Sequence, residues 1–173
     1  MRSRLIRTLA LFAILLAIGM ATKFPALQFP QLYALHGVLA APFCAAAAYW
    51  SLRREDSALP LFLATALLAL VLGMMSPVMG MSFGTLAALT VIVWFAFSKA
   101  RASTRVFATA FLFGALDYPC ALFAGIAFGS YACGPNALSS IIPMALIGCG
   151  LALLGALIAS RIFSKRPVLH GWT

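Results

Sequence analysis

Six long apolar stretches, separated by short polar segments, restrict the folds open to this chain. Each stretch has roughly the 17–25 residues that a helix needs to cross a bilayer. Charged residues make up 9% of the 173 residues and hydrophobic residues 64%, whereas soluble domains carry about a quarter charged residues. The chain is therefore predicted to be an all-α integral membrane protein, a compact six-transmembrane-helix bundle.

The sequence is predicted to form a single transmembrane domain over 1–173. Between Thr22 and Pro30 we expect an outer loop that is not helical, because two prolines fall within it. A tight turn is expected at Ser76–Pro77. The first stretch begins like a signal peptide, but we expect it to be a retained helix. The predicted spans lie at about 5–21, 31–52, 58–75, 79–97, 105–128 and 136–163.

The basic residues predict the orientation of these spans. Eleven of the twelve Lys and Arg residues fall on one side of the membrane if six spans are assumed, and only Lys23 falls on the other. Short cytoplasmic loops retain Lys and Arg, so both termini are predicted to be cytoplasmic. The net charge of +9 is interpreted as a topology signal and a contact for anionic lipid, not as nucleic-acid binding. Trp50 and Trp94 are expected in an interfacial belt.

Asp117 is the only carboxylate inside an apolar span. A charge at such depth costs at least ~2.5 kcal/mol, so the side chain is expected to face a cavity or a partner. It is either a carboxylate that binds a ligand or a proton, or a structural carboxyl bonded to a neighbouring helix. His36, which shares a helix face with Tyr33, is likewise either a ligand contact or a packing residue.

A second group of side chains could bind a soft metal or haem. It consists of His36, Met79, Met81 and Cys133, all expected near the outer face. The methionines could equally serve as flexible packing around a loop. Motifs of soluble enzymes are absent: the sequence has no phosphate-binding glycine loop, no H-E-x-x-H and no nucleophile elbow. The chain is not expected to be an enzyme.

Small residues recur every four positions in the first span, at Ala13, Ala17 and Ala21. This spacing allows another helix to approach closely. With its length, six spans and cytoplasmic termini, the chain resembles the substrate-binding S-components of energy-coupling factor (ECF) transporters. In that family, small residues of the first span pack against a transmembrane coupling subunit. Arg2 stands where the metal-binding branch carries histidine, which argues against nickel or cobalt as substrate.

The resemblance implies a membrane subunit that captures a small, vitamin-like solute for ATP-driven uptake in a bacterial cytoplasmic membrane. Two cytoplasmic ATPases would supply the energy through the coupling subunit, and the chain itself would need no cofactor. The family builds its binding site from the first outer loop and the outer halves of later spans. Projected onto this sequence, the candidate residues are Phe24, Gln28, Tyr33, His36, Asp117, Tyr131, Asn136 and Ser139.

Two other functions are considered. A haem- or copper-handling membrane protein would use the His, Met and Cys side chains named above. A disulfide-exchanging membrane oxidoreductase would need paired outer cysteines, whereas only Cys133 is expected on that side.

Overall fold

The structure, a computed structural model, describes residues 2–28, 36–54, 57–128 and 138–164, with side chains placed within 4–22, 37–53, 57–128 and 141–163. Over these residues the chain forms six α-helices and no strand, which confirms the all-helical prediction. The helices are α1 (Arg2–Gln28), α2 (His36–Arg54), α3 (Leu59–Gly73), α4 (Pro77–Ala96), α5 (Ala102–Ala127) and α6 (Leu138–Ser164).

Four of these helices are long and apolar enough to cross a membrane. They are α4, α5, the Arg4–Thr22 part of α1 and the Ile141–Phe163 part of α6. The helix α3 is also apolar but shorter. These helices indicate a membrane-embedded protein, while the number of crossings and the orientation remain predictions.

One predicted loop is wrong over most of its length. The segment Thr22–Pro30 was expected to be non-helical, but α1 continues to Gln28. Thr22 is buried, and its hydroxyl donates a hydrogen bond of 2.9 Å to the carbonyl of Ile18, one helical turn earlier. The helical backbone therefore persists through a segment whose prolines suggested a break.

The turn between α3 and α4 lies where it was predicted. Met74, Met75 and Ser76 connect the two helices, and the backbone N–H groups of Met75 and Ser76 donate to the carbonyl of Leu72. Pro77 is the first residue of α4, a position where a missing N–H removes no helical hydrogen bond.

Five helices pack in a closed ring, in the order α1, α2, α5, α4, α3 and back to α1. The sixth, α6, packs outside this ring against α2 and α5. Apolar side chains from all five ring helices meet in the larger core, which includes Leu11, Ala48, Leu61, Leu86 and Phe113. A smaller core of alanines joins α2, α5 and α6. The helices α2 and α5 thus belong to both cores.

Glycines allow α5 and α6 to approach the backbone of α2. A Cβ atom added at Gly114 of α5 would lie 2.5 Å from the carbonyl oxygen of Ala41 and 2.9 Å from Cβ of Ala45. One added at Gly155 of α6 would lie 2.6 Å from Cα of Pro42. Such close contacts through small residues are how helices associate in lipid, where burial of apolar surface offers little driving force.

The same contacts fix the relative directions of the helices. Along α2, Gly37 lies against Tyr118, and Ala41 and Ala45 lie against the earlier residue Gly114, so α2 and α5 are antiparallel. In contrast, Val38 is nearest to Gly148 and Pro42 to the later residue Gly155. The helices α2 and α6 therefore run parallel, as an alternating six-span topology requires.

These directions bring the basic residues of α2 to α6 together at one end, here called the basic end. It includes the last turns of α2, α4 and α6 and the first turn of α5. Trp94, predicted to lie in an interfacial belt, is near this end of the bundle and is only 7% exposed. The guanidinium carbon of Arg105 lies 4.1 Å from the centroid of its ring, so packing and a cation–π contact hold it inside the bundle. The described basic residues at this end are Arg53, Lys99, Arg101, Arg105 and Arg161.

Gly80→Ala is expected to destabilise the α3–α4 pair by about 1–3 kcal/mol, because the added methyl overpacks a close contact. Its Cβ would lie 2.7 Å from Cα of Gly73. Gly84→Ala is the matched control, since nothing lies within 4 Å of its added Cβ and alanine favours the helix. Thermal unfolding in detergent measures both variants; equal midpoints would show that this contact does not limit stability.

Candidate functional site

Asp117 projects from α5 into the protein interior, where 7% of its surface remains exposed. The thiols of Cys44 on α2 and Cys120 on α5 lie close enough for the charge of Asp117 to act on them. Among the described residues, no Lys or Arg forms an ion pair with it. A buried carboxylate without a cation is costly, so this side chain is suited to bind a proton, a cation or a hydrogen-bond donor.

The structure brings Asp117 and His36 to the same point of the bundle. Gly37, next to His36, approaches the backbone of Tyr118, next to Asp117; a Cβ on Gly37 would lie 3.4 Å from Cα of Tyr118. The helices are thus in near-backbone contact one residue away from both candidates. This is the first described turn of α2, towards the end of the bundle opposite the basic end.

Ser82 of α4 lies at the same level. The Trp94–Arg105 contact and the short connection between α4 and α5 indicate how these antiparallel helices align, and equal steps back along α4 and forward along α5 lead to Ser82 and Asp117. Ser82 is buried, with 6% of its surface exposed. Asp117 and Ser82 therefore place polar side chains of two ring helices at one depth, close to the backbone position of His36, and we call this depth the Asp117 level.

The polar side chains at the Asp117 level have the hydrogen-bonding groups that a binding site for a small solute requires. The carboxylate accepts hydrogen bonds or balances a positive charge, and the serine hydroxyl both donates and accepts. Both side chains are buried in the bundle, where the lower effective dielectric constant strengthens each electrostatic contact. Small polar solutes are typically bound by a few such groups in an otherwise apolar setting.

The other candidates lie where the structure describes the backbone alone, or outside the described residues. The backbone of Phe24 and Gln28 belongs to the last part of α1 and that of Ser139 to the start of α6, but their side chains, like that of His36, are not among those placed. Tyr33, Tyr131 and Asn136 lie outside the described residues. The first outer loop and the segment before α6, which the resemblance assigns to the site, thus contribute no described contact.

The alternative metal site is only partly represented. Met79 and Met81, both half-buried, lie in the first turns of α4, and Met74 and Met75 are 90% and 81% exposed beside them. Cys133 lies outside the described residues. Among the residues that the structure describes, no three His, Cys, Asp or Glu side chains are grouped as metal ligands.

The predicted docking stripe is exposed along its whole length. Ala13, Ala17 and Ala21 face away from the bundle, while Leu11 and Leu15 on the opposite face of α1 are buried in the larger core. The contacts of α1 with α2 and α3 therefore leave the small-residue face open to lipid or to another helix.

Comparison of the chain with protein-family models, curated proteins and solved structures finds no match.

Sequence reasoning missed Ser82, at the depth of Asp117, and the thiols of Cys44 and Cys120. Ser82 was not considered because a serine in an apolar span carries no periodic signal. Cys44 and Cys120 lie in apolar runs, where cysteine commonly serves as a small buried side chain, and both are buried. Cys120 follows Asp117 by three residues on α5, whereas the position of Cys44 relative to the carboxylate depends on how α2 and α5 meet. The Gly37 and Gly114 positions were the available signal, since glycines in spans mark close helix contacts.

Proposed function

We propose that this chain is a membrane-embedded capture subunit that binds a small, vitamin-like solute at the Asp117 level for ATP-driven uptake through an ECF module. The observation that carries the proposal is a buried carboxylate, without a described basic partner, at the same depth as Ser82 and next to the His36 position. The carboxylate would select a solute that donates hydrogen bonds or carries a positive charge.

The position of this site within the bundle supports capture from the outer face. If the basic end is cytoplasmic, as the distribution of Lys and Arg predicts, the Asp117 level lies towards the outside. A solute would then enter at the end of the bundle formed by the start of α2, the α3–α4 turn and the end of α5. The transmembrane coupling subunit and two cytoplasmic ATPases would act from the opposite side.

The direct test of the proposed function is to purify the full chain from growing cells and identify any co-purifying small molecule by mass spectrometry. The solute should then accumulate in cells only when the chain and an ECF module are both present. Stoichiometric copper, or a haem absorption band in the purified protein, would support the metal-handling alternative and contradict solute capture.

Ala13→Leu combined with Ala17→Leu is expected to abolish ATP-dependent uptake while solute binding to the purified chain is unchanged. Both alanines are exposed, so the larger side chains should leave the bundle intact and block only close approach by the coupling subunit. The measurement is uptake in cells alongside binding to purified protein.

Ala88→Leu on α4 provides the matched control, since it enlarges an exposed alanine on a different helix. Uptake should survive that change. If uptake also survives in the Ala13/Ala17 double variant, the coupling subunit docks elsewhere.

A further inference from the structure

At the basic end, α5 carries two buried polar atoms that lack hydrogen-bond partners. They are Nε of Arg105 and Oγ1 of Thr109. Thr109 is 1% exposed, and because it follows Arg105 by four residues, the two side chains lie on the same face of α5. A buried donor without an acceptor is costly, most of all on a charged group. The described residues therefore supply no acceptor to Nε of Arg105.

The guanidinium of Arg105 is held in a defined orientation. It lies 4.1 Å from the centroid of the Trp94 ring, and Trp94 is itself buried. A guanidinium carries its N–H donors in one plane and can make bidentate contacts with phosphate. Arg105 is only partly buried, so the outer edge of the group remains open while Nε is enclosed.

The surroundings of Arg105 are positively charged. The antiparallel register of α2 and α5 places Arg105 level with Trp50, three residues before Arg53 on α2. Lys99 and Arg101 lie in the turn just before α5. Asp117, the only carboxylate among the described residues, lies towards the opposite end. The described part of the chain thus offers Lys99, Arg101 and Arg105 no carboxylate at this end.

We propose that the basic end between α2, α4 and α5 binds the phosphate of an anionic lipid headgroup, with Arg105 as its principal contact. A phosphate supplies several strong acceptor oxygens and negative charge to a cationic fork. The membrane surface presents such groups at the depth where span ends lie, and basic pockets between membrane helices bind them. The site is separate from the Asp117 level and does not depend on the solute.

The test uses the purified full chain in a neutral detergent, titrated with phosphatidylglycerol, with zwitterionic phosphatidylcholine or with inorganic phosphate. Native mass spectrometry counts the bound molecules and gives their affinities. Phosphatidylglycerol is expected to bind at least about ten-fold more tightly than phosphatidylcholine. Equal affinities for the two lipids would overturn the proposal, and this comparison requires no variant.

Neutralising two arginines of the basic end, one in each variant, tests whether Arg105 is the principal contact. Arg105→Gln is expected to weaken phosphatidylglycerol binding about ten-fold or more, whereas the matched control Arg101→Gln, at an exposed position, should change it less than about three-fold. Equal losses in the two variants would indicate a diffuse surface charge and overturn the assignment to Arg105.

Two further measurements distinguish a lipid phosphate from other anions that could contact Arg105. If inorganic phosphate binds as tightly as the lipid and competes with it, the ligand is a free anion and the lipid assignment is wrong. Glu55 and Asp56 lie outside the described residues. The double variant Glu55→Gln, Asp56→Asn should bind phosphatidylglycerol as tightly as the unchanged chain, or more tightly. A loss of lipid binding in that double variant would contradict an anionic ligand at this end.

Discussion

Asp117→Asn is expected to lower solute binding about a hundred-fold or more, because it removes the charge from a buried carboxylate whose partner would be the solute. The amide has nearly the same shape, so the packing around this side chain is retained. Neutralising an uncompensated buried charge should leave the stability of the empty protein unchanged or raise it. Binding and stability are therefore predicted to change in opposite directions.

The measurements are the amount of co-purified solute per mole of protein, its rebinding by calorimetry, and the thermal unfolding midpoint. Thr90→Val is the matched control: Thr90 is also buried in the ring, but its hydroxyl donates to the carbonyl of Leu86 at 2.7 Å and is satisfied within α4. That variant should bind solute normally. An Asp117→Asn protein that unfolds at a lower temperature yet binds solute fully would identify the carboxyl as structural.

Gly155→Leu is expected to detach α6 from the ring, with a loss of more than about 3 kcal/mol, beyond the usual range for overpacking. The helix has no freedom to accept a side chain there, since even a Cβ would lie 2.6 Å from Cα and 2.7 Å from the carbonyl carbon of Pro42. These are backbone atoms, which cannot move aside as the end of a flexible side chain can. The expected result is early thermal unfolding and aggregation in detergent.

Gly150→Leu on the same helix is the control for the Gly155 variant. Gly150 is exposed, and nothing lies within 4 Å of its added Cβ. The same increase in volume should therefore leave the unfolding midpoint nearly unchanged. If the two leucine variants unfold at the same temperature, α6 is not held by the Gly155–Pro42 contact.

Much of the helix content follows from the sequence, because a bilayer requires long apolar segments and short turns between them. Pro77 begins α4 and Phe97 follows its end, close to the predicted span of 79–97, and α5 and α6 begin and end near their predicted bounds. The error at Thr22–Pro30 has a physical source. Proline is a local signal, whereas the continuation of α1 to Gln28 is accompanied by the burial of Thr22.

The site was less predictable than the helices. Asp117 and His36 could be selected individually, since a charged group and an imidazole in apolar spans stand out. Their proximity depends on the approach of Gly37 to Tyr118, and the inclusion of Ser82 depends on the α4–α5 register. Such neighbours are set by contacts between residues far apart in the chain, which hydropathy does not encode.

The order of the helices in the ring also determines when the bundle can assemble during synthesis. The ring is completed only where α5 meets α2, so a nascent chain that has inserted α1 to α4 still exposes the Gly37–Ala45 flank of α2 to lipid. The helix that carries Asp117 enters next, and the flank it packs against is already in the membrane. The carboxylate can therefore leave the insertion machinery directly into a protein contact rather than into hydrocarbon, and α6 arrives last to cover the outside of that seam.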